Sequence, residues 1–257
     1  MRYSFAYRTD IGTTRKVNQD ALVIKTFQEG SRSAVMVAVC DGMGGMARGE
    51  EMSRISAVMA SDWFDQEFRQ IFVSEEYSPD TMSRRLLQMI NNINAALFTE
   101  NQKHSMSGGT TFSMLLLTNS ERFIVHVGDS RIYEIENNCI RTLTKDHSFV
   151  AREVECGRMT EEEAMNSDRQ NILLQCLGTE PELQEPQLLA DKNPGTRTYL
   201  LCTDGFWHNM NFKALRSVLS PSYVVPDYLG IQLEKMIDYV KDKGETDNVT
   251  AVAVCVE

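Results

Sequence analysis

The sequence predicts an α+β fold in which antiparallel sheets are covered by helices. Strand-like runs of β-branched and apolar residues come in hairpin-like groups, and the runs 111–118 and 122–127 are separated only by Asn-Ser-Glu. Two long stretches of helical periodicity, from Ala47 to about Phe68 and from about Asp80 to Glu100, follow each other along the chain. This order lacks the regular alternation of strand and helix that produces a parallel sheet.

Each predicted element rests on its own pattern. The strands are rich in β-branched residues and are bounded by turn formers, and they are predicted at 34–40, 111–118, 122–127, 198–202 and 249–256. A third helix is predicted from about Asp227 to Lys241, where apolar residues recur on one face. Because no low-complexity segment or long linker interrupts the sequence, we expect a single domain over residues 1–257.

Composition and charge exclude several classes of function. Hydrophobic residues make up 42% and charged residues 24% of the chain, as in soluble globular proteins. The formal net charge of −10 argues against nucleic acid or an anionic membrane as a partner. No apolar run approaches the roughly 18 residues that span a bilayer, and the N-terminus lacks a secretory signal. The six cysteines form no C-x-x-C pair, so we expect reduced thiols and a cytoplasmic location. We also expect the protein to be a monomer.

Aspartates recur at the ends of the predicted strands. Asp41, Asp129 and Asp204 each follow an apolar strand, and Asp247 comes just before the last one. In an antiparallel arrangement, the ends of upward strands and the start of a downward strand lie along the same edge. We therefore expect these four carboxylates to converge, and Asp20, which precedes the apolar run 21–24, offers a fifth.

A cluster of carboxylates indicates a metal site more strongly than any one of them does. A single aspartate after a strand is best explained as an ordinary turn residue. Four in the same setting would repel each other and raise each other's pKa, which a hard divalent cation such as Mg²⁺ or Mn²⁺ relieves through oxygen ligands. Recurrence therefore favours shared metal binding.

The glycines that follow Asp41 do not form a phosphate-binding loop of a known type. No Lys-Ser or Lys-Thr follows Gly45, as a Walker A loop requires. The spacing of Gly42, Gly44 and Gly45 also differs from the dinucleotide-binding G-x-G-x-x-G pattern. These glycines are better explained by unusual backbone dihedrals that let a carbonyl group approach an ion closely.

Seven short motifs follow one another along nearly the whole chain. They are T-D-I-G-T-T-R-K-V-N-Q-D (9–20), V-A-V-C-D-G-M-G-G (37–45), G-T-T (109–111), V-G-D-S-R-I-Y (127–133), L-T-K-D-H-S (143–148), L-L-C-T-D-G (200–205) and D-N-V-T (247–250). Together they resemble the metal-dependent serine/threonine protein phosphatases of type 2C, in their bacterial single-domain form. The resemblance implies a four-layer α-β-β-α sandwich of two antiparallel sheets flanked by helix pairs, with a mobile flap at about 148–178.

The same resemblance implies a metal centre with two Mn²⁺ or Mg²⁺ ions. Asp41 would bridge the two ions, and the carbonyl group of Gly42 would add a ligand. Asp204 and Asp247 would complete the shell of one ion. Asp20 would position water molecules around the other ion, together with its neighbour at position 19.

The implied reaction is hydrolysis of phosphoserine and phosphothreonine in proteins by a metal-bridged hydroxide, without a covalent intermediate. A serine/threonine kinase would be the functional counterpart of such an enzyme. Asp129 would help to form a third, weaker metal site together with Asp204. Arg15 would bind the substrate phosphate, because its planar guanidinium donates two parallel hydrogen bonds. Asp41, Asp204, Asp247 and Arg15 are thus the expected catalytic residues.

The chain departs from the family pattern in three places, one of them in the flap, where Ser167-Asp168 replaces the His-Pro that relatives often have. Gln19 replaces the glutamate of many members, and Met43 stands where some eukaryotic members carry a histidine proposed as general acid. Water is therefore expected to protonate the leaving group. Two other functions stay open: a catalytically silent regulatory module and a small-molecule phosphoesterase. The expected metal ligands argue for an active enzyme, since the four main aspartates are all present: Asp20, Asp41, Asp204 and Asp247.

Three residues near the motifs are expected to have supporting roles. For His147 we favour a structural hydrogen bond over catalysis. Arg131 is predicted to pair with an acidic residue inside the protein, and not with substrate. Trp207 follows the turn at Asp204 and is expected to pack at the border of the cleft.

Overall fold

The computed structural model describes residues 1–44, 48–104 and 107–257. Two antiparallel sheets, one of five strands and one of six, pack face to face. Separate groups of helices cover the outer faces, each with its own apolar core, and a third apolar layer fills the space between the sheets. This arrangement confirms the predicted four-layer α+β sandwich. Within the described residues, no helix is both long and apolar enough to cross a membrane.

Strands numbered in chain order form the two sheets. Their bounds are β1 Tyr3–Asp10, β2 Asp20–Glu29, β3 Arg32–Met43, β4 Gly109–Thr110, β5 Phe112–Thr118, β6 Glu121–Val127, β7 Arg131–Ile135, β8 Ile140–Thr142, β9 Gln187–Lys192, β10 Arg197–Cys202 and β11 Val249–Val256. The first sheet has the order β1-β11-β10-β7-β8, and the second has the order β2-β3-β5-β6-β9, with β4 paired to the end of β3. Strands β5 and β6 form the predicted hairpin.

The helices lie outside the sheets or within the connections. Their bounds are α1 Arg48–Trp63, α2 Arg69–Val73, α3 Pro79–His104, α4 Phe149–Glu155, α5 Glu161–Met165, α6 Asp204–Trp207, α7 Phe212–Leu219 and α8 Leu229–Asp242. A π-helical turn, Phe64–Phe68, joins α1 to α2, and a 3₁₀ turn, Pro226–Tyr228, precedes α8. The three predicted helices correspond to α1 with the π turn, α3 and α8. The predicted starting residue Ala47 and the motif residue Gly45 lie outside the described residues.

Strand β3 is buried on both faces, which explains its continuous apolar sequence. Val35, Val37 and Val39 pack into the layer between the sheets. Ala34, Met36, Ala38 and Cys40 face the helices α1 and α3 in the outer core. Such a strand forms a stiff central support, and its last residues, Asp41 to Met43, extend beyond this apolar layer.

The strands that the sequence did not predict include β1, β8 and β9, which lie at the edges of the sheets. Their residues are half-buried or exposed and include several charged side chains, so they lack the apolar runs that marked the central strands. The run predicted at 111–118 is also shorter in the structure, because β5 begins at Phe112 and Thr111 separates it from β4.

A buried ion pair joins the two sheets. Arg122 of β6 donates to Glu134 of β7 over 2.6 Å, and the two side chains are only 9% and 6% exposed. Arg122 also donates to Asp191 over 3.1 Å, and the hydroxyl group of Tyr199 donates to Glu134 over 3.4 Å. Because buried charges need close partners, this pair favours one relative position of the sheets.

Replacing Arg122 by Met should lower the free energy of unfolding by about 3 kcal/mol, because it leaves the buried Glu134 carboxylate without its main partner. The double variant Arg122→Met/Glu134→Leu should recover most of that loss, because it removes the unpaired charge and fills the same space. Urea denaturation followed by circular dichroism measures both. Equal losses in the single and the double variant would contradict the proposed origin of the effect.

Candidate active site

The five predicted aspartates lie at one end of the sandwich and come from both sheets. In the second sheet, Asp20 opens β2 directly opposite Asp41 of β3, and Asp129 follows β6. In the first sheet, Asp204 follows β10 as the first residue of α6, and Asp247 precedes β11. From the sequence, the carboxylates were expected to lie along the edge of a single sheet. The structure corrects this, since the carboxylates converge between the ends of two sheets.

A cavity of about 170 Å³ opens at this end of the sandwich. Its lining contains most of the predicted site: Arg15, Asp41, Gly42, Asp129, Asp204 and Asp247. Asp20 lies behind this lining and contacts the first sheet through Thr203, whose hydroxyl group donates to its carboxylate over 3.0 Å. Asn171 and Leu173, which belong to the predicted flap, complete one side of the cavity.

The backbone of Asp41 is fixed by two threonines. The Asp41 N–H donates to the hydroxyl oxygen of Thr111 over 2.9 Å, and the Thr111 N–H donates to the Asp41 carbonyl oxygen over 2.8 Å. The hydroxyl group of Thr110 donates to the same carbonyl oxygen over 2.9 Å. These bonds continue the sheet beyond β3, so the Asp41 carboxylate enters the cavity from a rigid backbone.

Gly42 occupies a position with no room for a side chain. A Cβ atom there would lie 2.1 Å from the carbonyl oxygen of Gly49 and 2.6 Å from that of Gln19. Its N–H donates to the Gln19 carbonyl oxygen over 3.1 Å. The strand end therefore packs directly against the start of α1, and glycine is required here for close approach.

Asn248 fixes the loop that carries Arg15. Its side-chain oxygen accepts from the Gln19 N–H over 2.8 Å, and its amide group donates to the carbonyl oxygens of Ile11 and Val17 over 2.8 and 3.1 Å. The side chain is 4% exposed, so these three bonds form away from competing water. As a result, the loop 11–19 is connected to the residue that follows Asp247.

Arg15 lies at the mouth of the cavity. It donates to Asp247 over 2.6 Å, and its side chain is half exposed. The hydrogen bond with Asp247 raises the pKa of Arg15 further, so the guanidinium keeps its positive charge. Only one of its five N–H donors is needed for this contact, which leaves others for an anion in the cavity.

The carboxylates strongly disfavour each other's ionisation. Burial, with a contribution from the nearby Asp204 carboxylate, raises the pKa of Asp20 to about 7. Burial and the charge of Asp204 also raise the pKa of Asp41 and of Asp129 well above the ordinary value. Burial raises the pKa of Asp204 itself, and Asp247 adds to that increase. Additional positive charge close to these side chains would therefore stabilise their ionised form.

These residues fit a hard divalent cation. One carboxylate oxygen (Oδ1) of Asp20 and one of Asp204 are fully buried and have no hydrogen-bond partner among the described residues. Carboxylate and carbonyl oxygens are the ligands that Mg²⁺ and Mn²⁺ prefer. In residues 1–44, 48–104 and 107–257, no three His, Cys, Asp or Glu side chains already surround a common metal position.

The three supporting residues behave as the sequence predicted. His147 accepts a hydrogen bond from the Gly128 N–H over 3.1 Å, and this contact shapes the turn before Asp129. Arg131 forms a two-pronged ion pair with Asp146. Trp207 is buried at the border of the cleft, where its indole N–H donates to the Asp129 carbonyl oxygen over 3.0 Å.

Three residues that position the carboxylates are Thr111, Thr203 and Asn248. The sequence indicates for Thr111 only that it helps to shape a strand start behind the metal centre, together with Gly109 and Thr110, and it assigns no role to Thr203 or Asn248. Each lies within one of the seven motifs and next to a predicted site residue or strand end. That position was the only sign in the sequence that the residue supports the site. Their function depends on partners far away in sequence: Thr111 contacts Asp41, and Asn248 contacts Gln19. Such pairings follow from the sheet order, which the motifs alone did not give.

Comparison with known proteins places this geometry in context. Residues 13–228 match the family model described as Protein phosphatase 2C. The serine/threonine phosphatase stp of Listeria welshimeri is 31% identical over 248 residues, which cover 96% of this chain and 94% of that protein. The serine/threonine protein phosphatase PstP of Mycobacterium tuberculosis is 28% identical over 250 residues, which cover 44% of its own length.

Solved structures resemble the whole chain. The crystal structure of the serine/threonine phosphatase Stp1 from Staphylococcus aureus superimposes with a TM-score of 0.85 at 26% identity, covering 100% of this chain and 96% of that one. The catalytic domain of PstP in complex with two manganese ions gives a TM-score of 0.79 at 26% identity, with 99% and 98% coverage. The sandwich and its order of strands are therefore shared with these proteins.

Replacing Gly42 by Ala should destabilise the protein by about 3 kcal/mol and lower its catalytic activity, because the new methyl group separates β3 from the start of α1. Thermal unfolding and turnover of p-nitrophenyl phosphate measure the two effects. The control is Gly30→Ala, where a Cβ meets nothing within 4 Å and only the left-handed backbone, at φ +56°, costs about 1 kcal/mol. Equal effects at both positions would show that close packing at Gly42 is unimportant.

Proposed function

The chain belongs to the protein phosphatase 2C family, and we propose that it hydrolyses phosphoserine and phosphothreonine in proteins as a metal-dependent phosphatase. The observation that carries this proposal is the convergence of carboxylates from both sheets on one cavity with Arg15 at its mouth. A catalytically silent member is disfavoured, because Asp20, Asp41, Asp204 and Asp247 are all retained.

We assign the metal ligands to the carboxylates around the cavity. Asp41 and the Gly42 carbonyl group would help to hold two Mn²⁺ or Mg²⁺ ions, and Asp204 and Asp247 would complete the ligands of one of them. Asp20 orients water around the other, consistent with its position behind the lining. When bound, the cations supply a hydroxide nucleophile at neutral pH and offset the charge of the phosphate.

The remaining steps depend on the protein's own side chains. Arg15 binds the phosphate oxygens with the guanidinium donors that Asp247 leaves available. Asp129 would hold a weaker third cation together with Asp204; burial and the charge of Asp204 both raise the pKa of Asp129. Met43 lines the cavity without an acidic proton, so water protonates the departing serine or threonine oxygen. Thr111 keeps Asp41 in position throughout, because its bonds are to the backbone.

The broader setting is also part of the proposal. The protein acts as one domain over residues 1–257, with a flap at about 148–178 that contributes Asn171 and Leu173 to the cavity. It opposes a serine/threonine kinase and acts on phosphoproteins as a cytoplasmic monomer. The names of the relatives support the substrate class, since stp and PstP are described as serine/threonine phosphatases.

Turnover should depend on a divalent cation and on Asp41. With Mn²⁺ we expect hydrolysis of p-nitrophenyl phosphate and of a phosphothreonine peptide, and EDTA should abolish both. Asp41→Asn should reduce turnover at least a hundredfold, because it removes the charge that the metal centre depends on. Asp238→Asn, an exposed change on α8, is the matched control. Lack of Mn²⁺-dependent turnover by the unmodified protein would refute the proposed function.

Arg15 should contribute mainly to phosphate binding. Arg15→Ala should raise the KM for a phosphothreonine peptide about tenfold or more and lower kcat by a smaller factor. Arg15→Lys should recover only part of the loss, because an ammonium group cannot form the two parallel bonds of a guanidinium. Lys16→Ala, at the exposed neighbouring position, controls for loss of charge in the same loop. An effect confined to kcat would contradict a binding role.

A further inference from the structure

A second, larger cavity lies beside the first. Its volume is about 480 Å³, and it lies between the flap helices α4 and α5 and the wall formed by β7, β8, α6 and α7. We call it the flap cavity. Its apolar lining comes from both sides: Val150, Val154 and Met165 from the flap, and Ile140, Trp207 and Phe212 from the opposite wall.

The flap cavity adjoins the phosphate-sized cavity. Asp129 lines both of them. Ser148, which lines the flap cavity, forms a β-bridge with Leu173, which lines the smaller one. Paired residues in such a bridge are about 5 Å apart, and an extended peptide advances about 3.3 Å per residue. A substrate chain whose phosphate occupies the first cavity can therefore reach the second within a few residues.

The flap has apolar side chains but no core of its own. Neither α4 nor α5 contains a buried residue, although Val150, Ala151 and Val154 are apolar and line the flap cavity. In most surface helices such a face packs against the protein and leaves no space of this size. The flap thus presents apolar surface to a cavity large enough for an aromatic side chain.

Two ion pairs account for four of the charged side chains that line the flap cavity, and Asp129 and Glu161 are the other acidic ones. Arg131 donates two-pronged hydrogen bonds to Asp146, and its guanidinium lies 3.4 Å from the centre of the Trp207 ring. Lys145 and Glu155 form an exposed ion pair with each other over 3.4 Å. The paired charges compensate each other, so a neutral, apolar group suits the part of the cavity between them and the apolar side chains.

We propose that the flap cavity binds an apolar or aromatic side chain of the phosphoprotein substrate, within a few residues of the phosphorylated position. This inference rests on the proposed function and adds a determinant of substrate choice to it. The chemistry at the phosphate stays unchanged. The flap cavity instead favours those phosphoproteins in which a large apolar residue lies close to the phosphorylated serine or threonine.

The test uses phosphothreonine peptides with alanine at all flanking positions, and a series in which one flanking residue at a time, from −4 to +4, is phenylalanine. For the full-length protein with Mn²⁺, we expect kcat/KM to rise about tenfold at one or two of these positions. Hydrolysis of p-nitrophenyl phosphate and of the all-alanine peptide reports the proposed function separately. Turnover of these two without any preference for phenylalanine would overturn the inference alone.

Two variants connect the preference to the flap cavity. Ala164→Phe fills the space from α5 and should remove the preference, whereas Glu162→Phe, an exposed change on the same helix, should leave it intact. Phe212→Ala enlarges the opposite wall and should shift the preference from phenylalanine to tryptophan. The readout is a ratio of kcat/KM values between peptides, so a loss common to all substrates cancels.

The outcomes separate the occupants that could fill the flap cavity. A preference that Ala164→Phe and Phe212→Ala leave unchanged would place the apolar residue elsewhere and overturn the inference. Inhibition of p-nitrophenyl phosphate hydrolysis by free phenylalanine or indole, together with no preference among the peptides, would also overturn it, since the space would then receive a separate small molecule. A shift of preference with the size of residue 212 supports direct contact, because a general disturbance of the flap would not produce it.

Discussion

A group of carboxylates whose ionisation is disfavoured by burial and by mutual repulsion is the constraint on which this structure depends. The acidic groups with raised pKa at the end of the sandwich are Asp20, Asp41, Asp129 and Asp204. Without a compensating charge, these carboxylates destabilise the fold. Other contacts in the structure must therefore hold them in position. Uncharged groups do so here: Thr111 bonds to the backbone of Asp41, and the Thr203 hydroxyl group donates to the Asp20 carboxylate. Neither contact neutralises a carboxylate, so the carboxylates stay available to cations.

The same constraint explains why the two sheets must stay in one relative position. Asp41 extends from the second sheet and Asp204 from the first, so a slide of one sheet across the other would separate them. The apolar layer between the sheets, mostly valine, leucine and isoleucine, resists separation of the two sheets. Apolar contacts have no preferred direction, so this layer does not fix one alignment of the sheets. The buried pair of Arg122 and Glu134 adds direction, because its hydrogen bonds form in only one alignment.

The sequence predicts the parts of the structure that depend on local pattern. Strand β3 could be predicted because both of its faces are buried, and Asp41 could be identified because it ends that run. The edge strand β9 could not, since half-buried polar residues give no clear period. The role of Asn248 was also inaccessible, because its partners Ile11 and Val17 lie more than 230 positions away along the chain. Contacts of that range depend on topology.

The carboxylates and the flap belong to differently built parts of the molecule. The carboxylates project from a sandwich whose central strands are buried on both faces, and Thr111 fixes their nearest backbone. The flap helices α4 and α5 lack buried residues and meet the rest of the protein across a cavity. Changes in α4 or α5 alter no buried contact, so they can change which peptides fit and leave the carboxylates in place. The rigidly held carboxylates and the weakly packed flap meet at Asp129, which lines both cavities.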